Sequence, residues 1–268
     1  METKEKKRKP SSKKKSNQNR KSKKKRPTPK KKKSRVKNWL INIFLLLLLL
    51  AGLALIFNNQ IKNALIHWSG QKYSVANITS ETIQKNKESA DATFDFSDAE
   101  SVSTDAVIRA QLSNTVLPVI GGISVPRVGI NLPIFKGVGN DVLLSGAGTM
   151  KADQEMGKGN YALASHRCYD PSLLFTPMDK MEIGDIIYIT DLVNIYTYKT
   201  TFKEVVPPEQ TELIEDIPGK KLITMVTCGD FNAVTREVIQ GELDSVTPLN
   251  KATNDMLSAF QMERNDLN

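Results

Sequence analysis

The chain has 268 residues, with 38 Lys and Arg against 29 Asp and Glu and a formal charge of +9. The excess is local: residues 1–38 hold 20 basic residues against 2 acidic, and residues 39–268 hold 18 against 27. Taken alone the basic excess suggests nucleic acid, which the apolar stretch that follows it argues against, and the two Cys lack the C-x-x-C type of spacing that a tetrahedral metal site uses.

Residues 1–38 carry almost no apolar side chains and repel themselves, so they read as a disordered basic tail. Residues 39–57, "WLINIFLLLLLLAGLALIF", contain no charge. At about 1.5 Å per residue this stretch spans roughly 28 Å as a helix, close to the thickness of a bilayer's hydrocarbon. It reads as an uncleaved single-pass anchor in the cell membrane. The positive-inside rule keeps the tail cytoplasmic and exports the rest.

Residues 58–105 are polar and read as a stalk, part helix and part linker; a chain begun at residue 81 is expected to keep the whole working domain. From 106 to 250 the pattern becomes one of short strand-like runs: "GGISVPRVGINLPIF", "YALASH", "DIIYIT", "IYTYKTTFKEVV", "KLITMVTC" and "TREVIQGEL". Gly, Asp, Pro and Asn clusters separate them. The fold class is mainly β, closed or sandwiched, with short outer helices at 106–112 and 171–179. Residues 251–268 read as a polar C-terminal tail.

Cys228 ends an apolar strand just before the loop "GDFNA". A hairpin pairing Cys228 with Val234 sets Arg236 diagonally from the thiol on the same face. An arginine there can lower a thiol pKa or donate to an oxyanion. A cysteine nucleophile works with a histidine. His166, at the end of "YALASH", is the one histidine within the β region, because His67 lies in the stalk. Cys168 follows His166 by two and could face Cys228. The chain leaves the strand at "RCYDPS", so the expectation is a free, partly buried Cys168. No phosphate-binding glycine loop is present, and no cofactor is expected.

"LASH", "ITMVTC" and Arg236 eight residues after Cys228 resemble the signatures of the sortases. The runs 117–137 and 146–166 resemble the class A housekeeping branch of Gram-positive bacteria. The resemblance implies an eight-stranded β-barrel with short flanking helices, preceded by the single N-terminal transmembrane helix. It implies a membrane-anchored cysteine transpeptidase that cleaves LPxTG signals of surface proteins between Thr and Gly. A thioester then passes to a cell-wall precursor amine, that of lipid II. Cys228 would be the nucleophile, His166 the proton carrier and Arg236 the oxyanion donor. Ala164, Val226 and Thr227 would line the signal groove, and Leu213 and Ile214 would come from the specificity loop 205–221. Some relatives bind calcium in a loop comparable to that holding Asp153 and Glu155; with Lys151 and Lys158 flanking them, no required metal is expected here. A pilin-polymerising sortase of another class and a non-catalytic anchored β-module are the competing readings.

Overall fold

The structure, a computed structural model, describes residues 33–88, 92–95, 102–113, 115–230 and 232–262. The expected disordered tail lies, up to residue 32, outside them. The chain divides into two units, residues 1–51 and 52–268. The first is dominated by helix α1 (Lys33–Ile56). Its stretch Val36–Ile56 is 21 residues long with a mean hydropathy of 2.7. That is long and apolar enough to cross a bilayer, as a membrane anchor must be.

The second unit opens with α2 (Asn58–Lys72), α3 (Ser80–Glu88) and α4 (Thr104–Leu112). Eight strands follow: β1 (Val119–Val125), β2 (Ile130–Phe135), β3 (Ala147–Thr149), β4 (Asn160–Ala164), β5 (Ile186–Thr190), β6 (Asn194–Val206), β7 (Leu222–Cys228) and β8 (Arg236–Pro248). A short helix α5 (Asn140–Leu143) sits between β2 and β3, and α6 (Asn254–Ala259) follows β8. The strands close into a barrel in the order β1-β2-β3-β4-β7-β8-β6-β5. The pairs β2·β3 and β4·β7 are parallel, and the rest are antiparallel.

Alternation decides what each strand face meets. Ile123, Ile134, Leu163, Ile189, Ile223, Met225 and Ile239 fill the principal core. The opposite faces of β1 and β2 are covered too: Val119 and Phe135 pack with Val75, Leu257 and Phe260. All seven residues of β1 are therefore buried, which explains why "VIGGISV" shows no polar alternation. Gly122 is required by this covering, because a Cβ there would stand 2.9 Å from both methyls of Val75.

The expected helix at 106–112 is present as α4, capped by the Ser103 hydroxyl accepting from the Ala106 amide at 3.0 Å. The expected helix at 171–179 is instead a run of turns ending in a 3-10 segment, Thr176–Lys180. Pro171 and Pro177 remove amide donors, and each restricts the residue before it.

The stretch read as a stalk carries helices seated on the barrel. Ile66 of α2 joins Ala106, Val107, Leu144, Cys168, Leu173 and Leu174 in one apolar cluster. The Asn63 amide donates to Asp170 at 3.0 Å, and the Ser69 and Ser145 hydroxyls meet at 2.8 Å. The C-terminal stretch also folds back, with Phe260 fully buried. A chain begun at residue 81 is accordingly expected to melt at a lower temperature than one begun at Asn58, by thermal denaturation of the two soluble forms. Phe260→Ala should cost about 3–5 kcal/mol in urea unfolding, whereas Leu112→Ala, at an exposed position, should leave the midpoint unchanged.

Candidate active site

Strand β7 lies between β4 and β8, and its C-terminal end is where the chemistry-bearing residues gather. Cys228 pairs directly with Arg236, and Val226 with Val238. The sequence-based register paired Cys228 with Val234. The structure moves it by two: the pairing runs on past Cys228, with the Gly229 amide donating to the Thr235 carbonyl at 2.9 Å, and the turn lies beyond that pair. Asp230 builds that turn: its carboxylate accepts from the amides of Asn232 (2.8 Å), Val234 (3.3 Å) and Thr235 (2.9 Å), and from the Thr235 hydroxyl (2.7 Å). The Thr235 hydroxyl and these amides pull the Asp230 carboxyl down to about 2. A shift of two preserves the face, so Arg236 moves from a diagonal position to one directly across from the thiol. Its Nη1 donates to the carbonyls of Ala233 (2.8 Å) and Thr235 (3.0 Å), which anchors the guanidinium on its own loop.

β4 runs parallel to β7 with Ala164 beside Val226. The Ser165 amide extends the ladder by donating to the Val226 carbonyl at 3.2 Å. His166 follows two residues after the last pair of this ladder, at the end of the barrel where β7 reaches Cys228. His166 is 9% exposed. Burial pushes its imidazole down to about 4, and its Nε2 has no hydrogen-bond partner among the described residues. Cys228 is half-buried, with a free thiol.

Ala164 and Val226 lie on this same face. Ala164 is buried against Val138 and Leu143, and Val226 is half-buried. Thr227 is not on it. As the neighbour of Cys228 it points the other way, and its hydroxyl donates to the Ser165 carbonyl at 2.8 Å. Leu213 and Ile214 are half-buried in a 3-10 turn, Thr211–Ile214.

That turn is fastened by residues the sequence had not singled out. The Leu213 carbonyl accepts from Asn160 Nδ2 at 2.9 Å, Gln240 Nε2 at 2.8 Å and the Thr224 hydroxyl at 3.3 Å. Two residues further on, Asp216 accepts from the Asn160 amide at 2.9 Å and pairs with Lys151 at 2.6 Å. Gly159 permits this approach: its φ is +50°, and a Cβ there would stand 2.4 Å from the Asp216 carboxylate. The available signal was Thr224 and Gln240, polar residues set two apart from apolar neighbours.

In the loop considered for calcium, one of the two carboxylates, that of Glu155, is met by a lysine. Glu155 pairs with Lys158 at 2.5 Å and Lys151 is held by Asp216. No group of three or more His, Cys, Asp or Glu suited to a metal ion occurs among the described residues. Cys168 is also free. It lies 3% exposed among Ile66, Leu173 and Leu174, and burial pushes its thiol up to about 12. The strand ends at Ala164, so alternation does not carry Cys168 to the Cys228 side. Arg167, between the two, turns onto the main-chain carbonyl of Cys228.

Residues 123–244 match the model of the sortase domain. The chain is 43% identical to sortase A of Streptococcus agalactiae over 86% of its own length and 94% of that protein's. It is 38% identical to sortase A of Listeria monocytogenes over 77% of its length and 92% of that relative. In fold it is similar to the crystal structure of sortase C-3 from Streptococcus pneumoniae, with a TM-score of 0.51 at 20% identity, over 65% of this chain and 89% of that one. The barrel, the cysteine at the end of β7 and the two sortase A relatives lead to one assignment: the chain belongs to the sortases, a family of cysteine transpeptidases, and within them to class A.

Proposed function

We propose that Cys228, His166 and Arg236 form the catalytic centre, and that it transfers surface proteins bearing an LPxTG-type signal to a cell-wall precursor amine such as that of lipid II. The observation that supports this reading is that Cys228 and Arg236 stand directly across the β7–β8 ladder, while His166 follows by two residues the end of β4, the strand paired with β7. In this reading the N-terminus is cytoplasmic and the barrel is exported, as the charge of residues 1–38 favours.

The chemistry follows from the local environments. An imidazole pushed down to about 4 is neutral at pH 7, so His166 begins as a base. As the Cys228 sulfur attacks the Thr carbonyl carbon, the thiol proton passes to the imidazole. The carbonyl π electrons move to oxygen, and Arg236, directly across the ladder, supplies N–H donors to that oxyanion. The tetrahedral intermediate collapses by breaking the Thr–Gly C–N bond. The imidazolium protonates the departing Gly amine, leaving a thioester and a neutral His166. An incoming amine reverses the sequence: its nitrogen bonds to the carbonyl carbon, His166 takes its proton, and the sulfur leaves and is reprotonated. The Asn160, Thr224 and Gln240 bonds to the Leu213 carbonyl hold one wall of the signal groove, opposite Ala164 and Val226. Thr227 supports the strands from behind.

Cys228→Ala should abolish both cleavage and transfer of an LPxTG peptide. Intact-mass measurement of the native chain with that peptide should show an acyl adduct on Cys228, and transfer by the Ala variant would defeat the assignment. Arg236→Lys keeps the charge but loses the fork; a loss in kcat/KM of about 10²–10³ is expected if it serves the oxyanion.

The burial of His166 also sets a pH dependence. Its folded pKa, near 4, lies below the unfolded value of about 6.5. The unfolded chain therefore binds the extra proton first, and stability falls as pH drops from about 6.5 towards 4. NMR titration of labelled histidine should place the His166 midpoint well below 6.5. His166→Gln should flatten that part of the stability profile, and an ordinary midpoint would contradict the desolvation of His166 from which this pH dependence follows.

A further inference from the structure

Behind the proposed catalytic face lies a second cluster of charge that the reaction sequence does not use. Arg167, the residue after His166, has a side chain 9% exposed. Its Nε donates to the main-chain carbonyl of Cys228. Its Nη1 and Nη2 grip the two Asp179 carboxylate oxygens at 2.8 and 2.6 Å, and Nη2 also reaches Glu237 Oε2 at 2.8 Å. Glu237, the residue after Arg236, has a side chain only 3% exposed, and its other oxygen stands 3.4 Å from Lys203 Nζ. Lys203 in turn donates to the carbonyls of Met178 (3.0 Å), Asp179 (2.8 Å) and Met181 (3.1 Å).

Each member is tied to a different segment. Arg167 lies in the connection after β4, Asp179 in the 3-10 turn, Lys203 on β6 and Glu237 at the start of β8, while the carbonyl that Arg167 takes belongs to the last residue of β7. Each of the three residues proposed for chemistry is thus a member's neighbour in sequence or bonded to one through its main chain. Alternation separates the two sets: Glu237 lies across from Thr227 and Arg236 across from Cys228, so the charges point away from the face that meets substrate.

The geometry points to Arg167 as a positioning residue: clamped by Glu237 and Asp179, it fixes the Cys228 main chain and so aims the thiol between His166 and Arg236. A guanidinium suits this task, because its planar fork fixes three acceptors at once where an ammonium would act as a point charge. Two cations, Arg167 and Lys203, meet two carboxylates, the buried Glu237 and the exposed Asp179, so the charges in the cluster balance. Burial pushes the Glu237 carboxyl up to about 6, while the Arg167 hydrogen bonds hold Asp179 below the ordinary range. The inference rests on the function proposed above for the same site.

The test uses the full chain in detergent micelles. The variants are Arg167→Lys, Arg167→Met and the double variant Arg167→Met/Glu237→Met. Three quantities are read: the melting temperature, kcat and KM for an LPxTG peptide, and the rate at which iodoacetamide alkylates Cys228, followed by peptide mass. Removing Arg167 alone strands a buried carboxylate and can unfold the chain, which is why the double variant is included. A cluster that merely held the fold would be relieved by removing both charges, and activity would return with stability. The expected result is that the double variant melts within a few degrees of the native chain, while its kcat stays at least tenfold low, its KM moves less than about threefold and alkylation slows at least fivefold. Arg167→Lys should fall between the native chain and the double variant. Native kcat and alkylation in a folded double variant, or equal losses in kcat/KM through KM alone, overturn the inference. So does a double variant as unstable as Arg167→Met. If the native chain does not process the peptide, the function proposed above fails, and the alkylation rates alone decide the role of Arg167.

Discussion

The parallel ladder between β4 and β7 is the constraint on which the site depends. Parallel neighbours cannot be joined by a tight turn, so the chain must leave and return. Here residues 165–221 make that excursion, and they carry β5, β6 and the segment over the proposed groove. The ladder's regular hydrogen bonds fix Ala164 beside Val226, and the antiparallel turn after β7 fixes Arg236 across from Cys228. A slip of one residue in either pairing would send one of the three chemical side chains to the barrel's inner face. The apolar core enforces the register, because the same slip would expose Ile223 and Met225, both fully buried.

The two faces of these strands divide the labour. One face carries the Cys228 thiol directly across from the Arg236 guanidinium, the pair proposed to meet substrate. The other sets buried charges of opposite sign against one another and against main-chain carbonyls. An unpaired buried charge would cost several kcal/mol, so the second face is stable only when complete. Completeness also makes it stiff, and a stiff support is what a reaction needs when success depends on the direction of one sulfur. His166 illustrates the other side of the bargain. Its Nε2 is buried without a hydrogen-bond partner among the described residues, a local cost in stability consistent with the role proposed for it.

Much of this was legible in the residues, for physical reasons. The membrane helix declares itself by composition, since a bilayer asks only for length and apolarity. The strands of the barrel were readable from short apolar runs between turn formers, and Cys228 and His166 stood out as rare residues at strand ends. The register of the β7–β8 turn was not readable. It depends on the Asp230 carboxylate collecting three amides and a hydroxyl, which lengthens the loop without leaving a mark on the hydrophobic pattern. The face of Thr227 could have been read, because a neighbour of Cys228 in a strand must point away from it. Arg167 and Glu237 could not, because nothing in a single sequence separates a buried charge from a solvated one.

The N-terminal helices make the same point about polar sequence. Residues 58–72 look like linker because their apolar residues are sparse, yet Ile66 completes a cluster with Leu173 and Leu174. The Asn63 bond to Asp170 then ties α2 to the very connection that carries His166 and Arg167. A connection rich in turns, with prolines at 171 and 177, has few ladder bonds of its own to hold it. Its order is supplied from outside, by α2 on one side and by the bond from Arg167 to Glu237 of β8 on the other. The histidine is therefore placed by a strand only as far as Ala164; beyond that, its position is the product of packing between segments far apart in sequence.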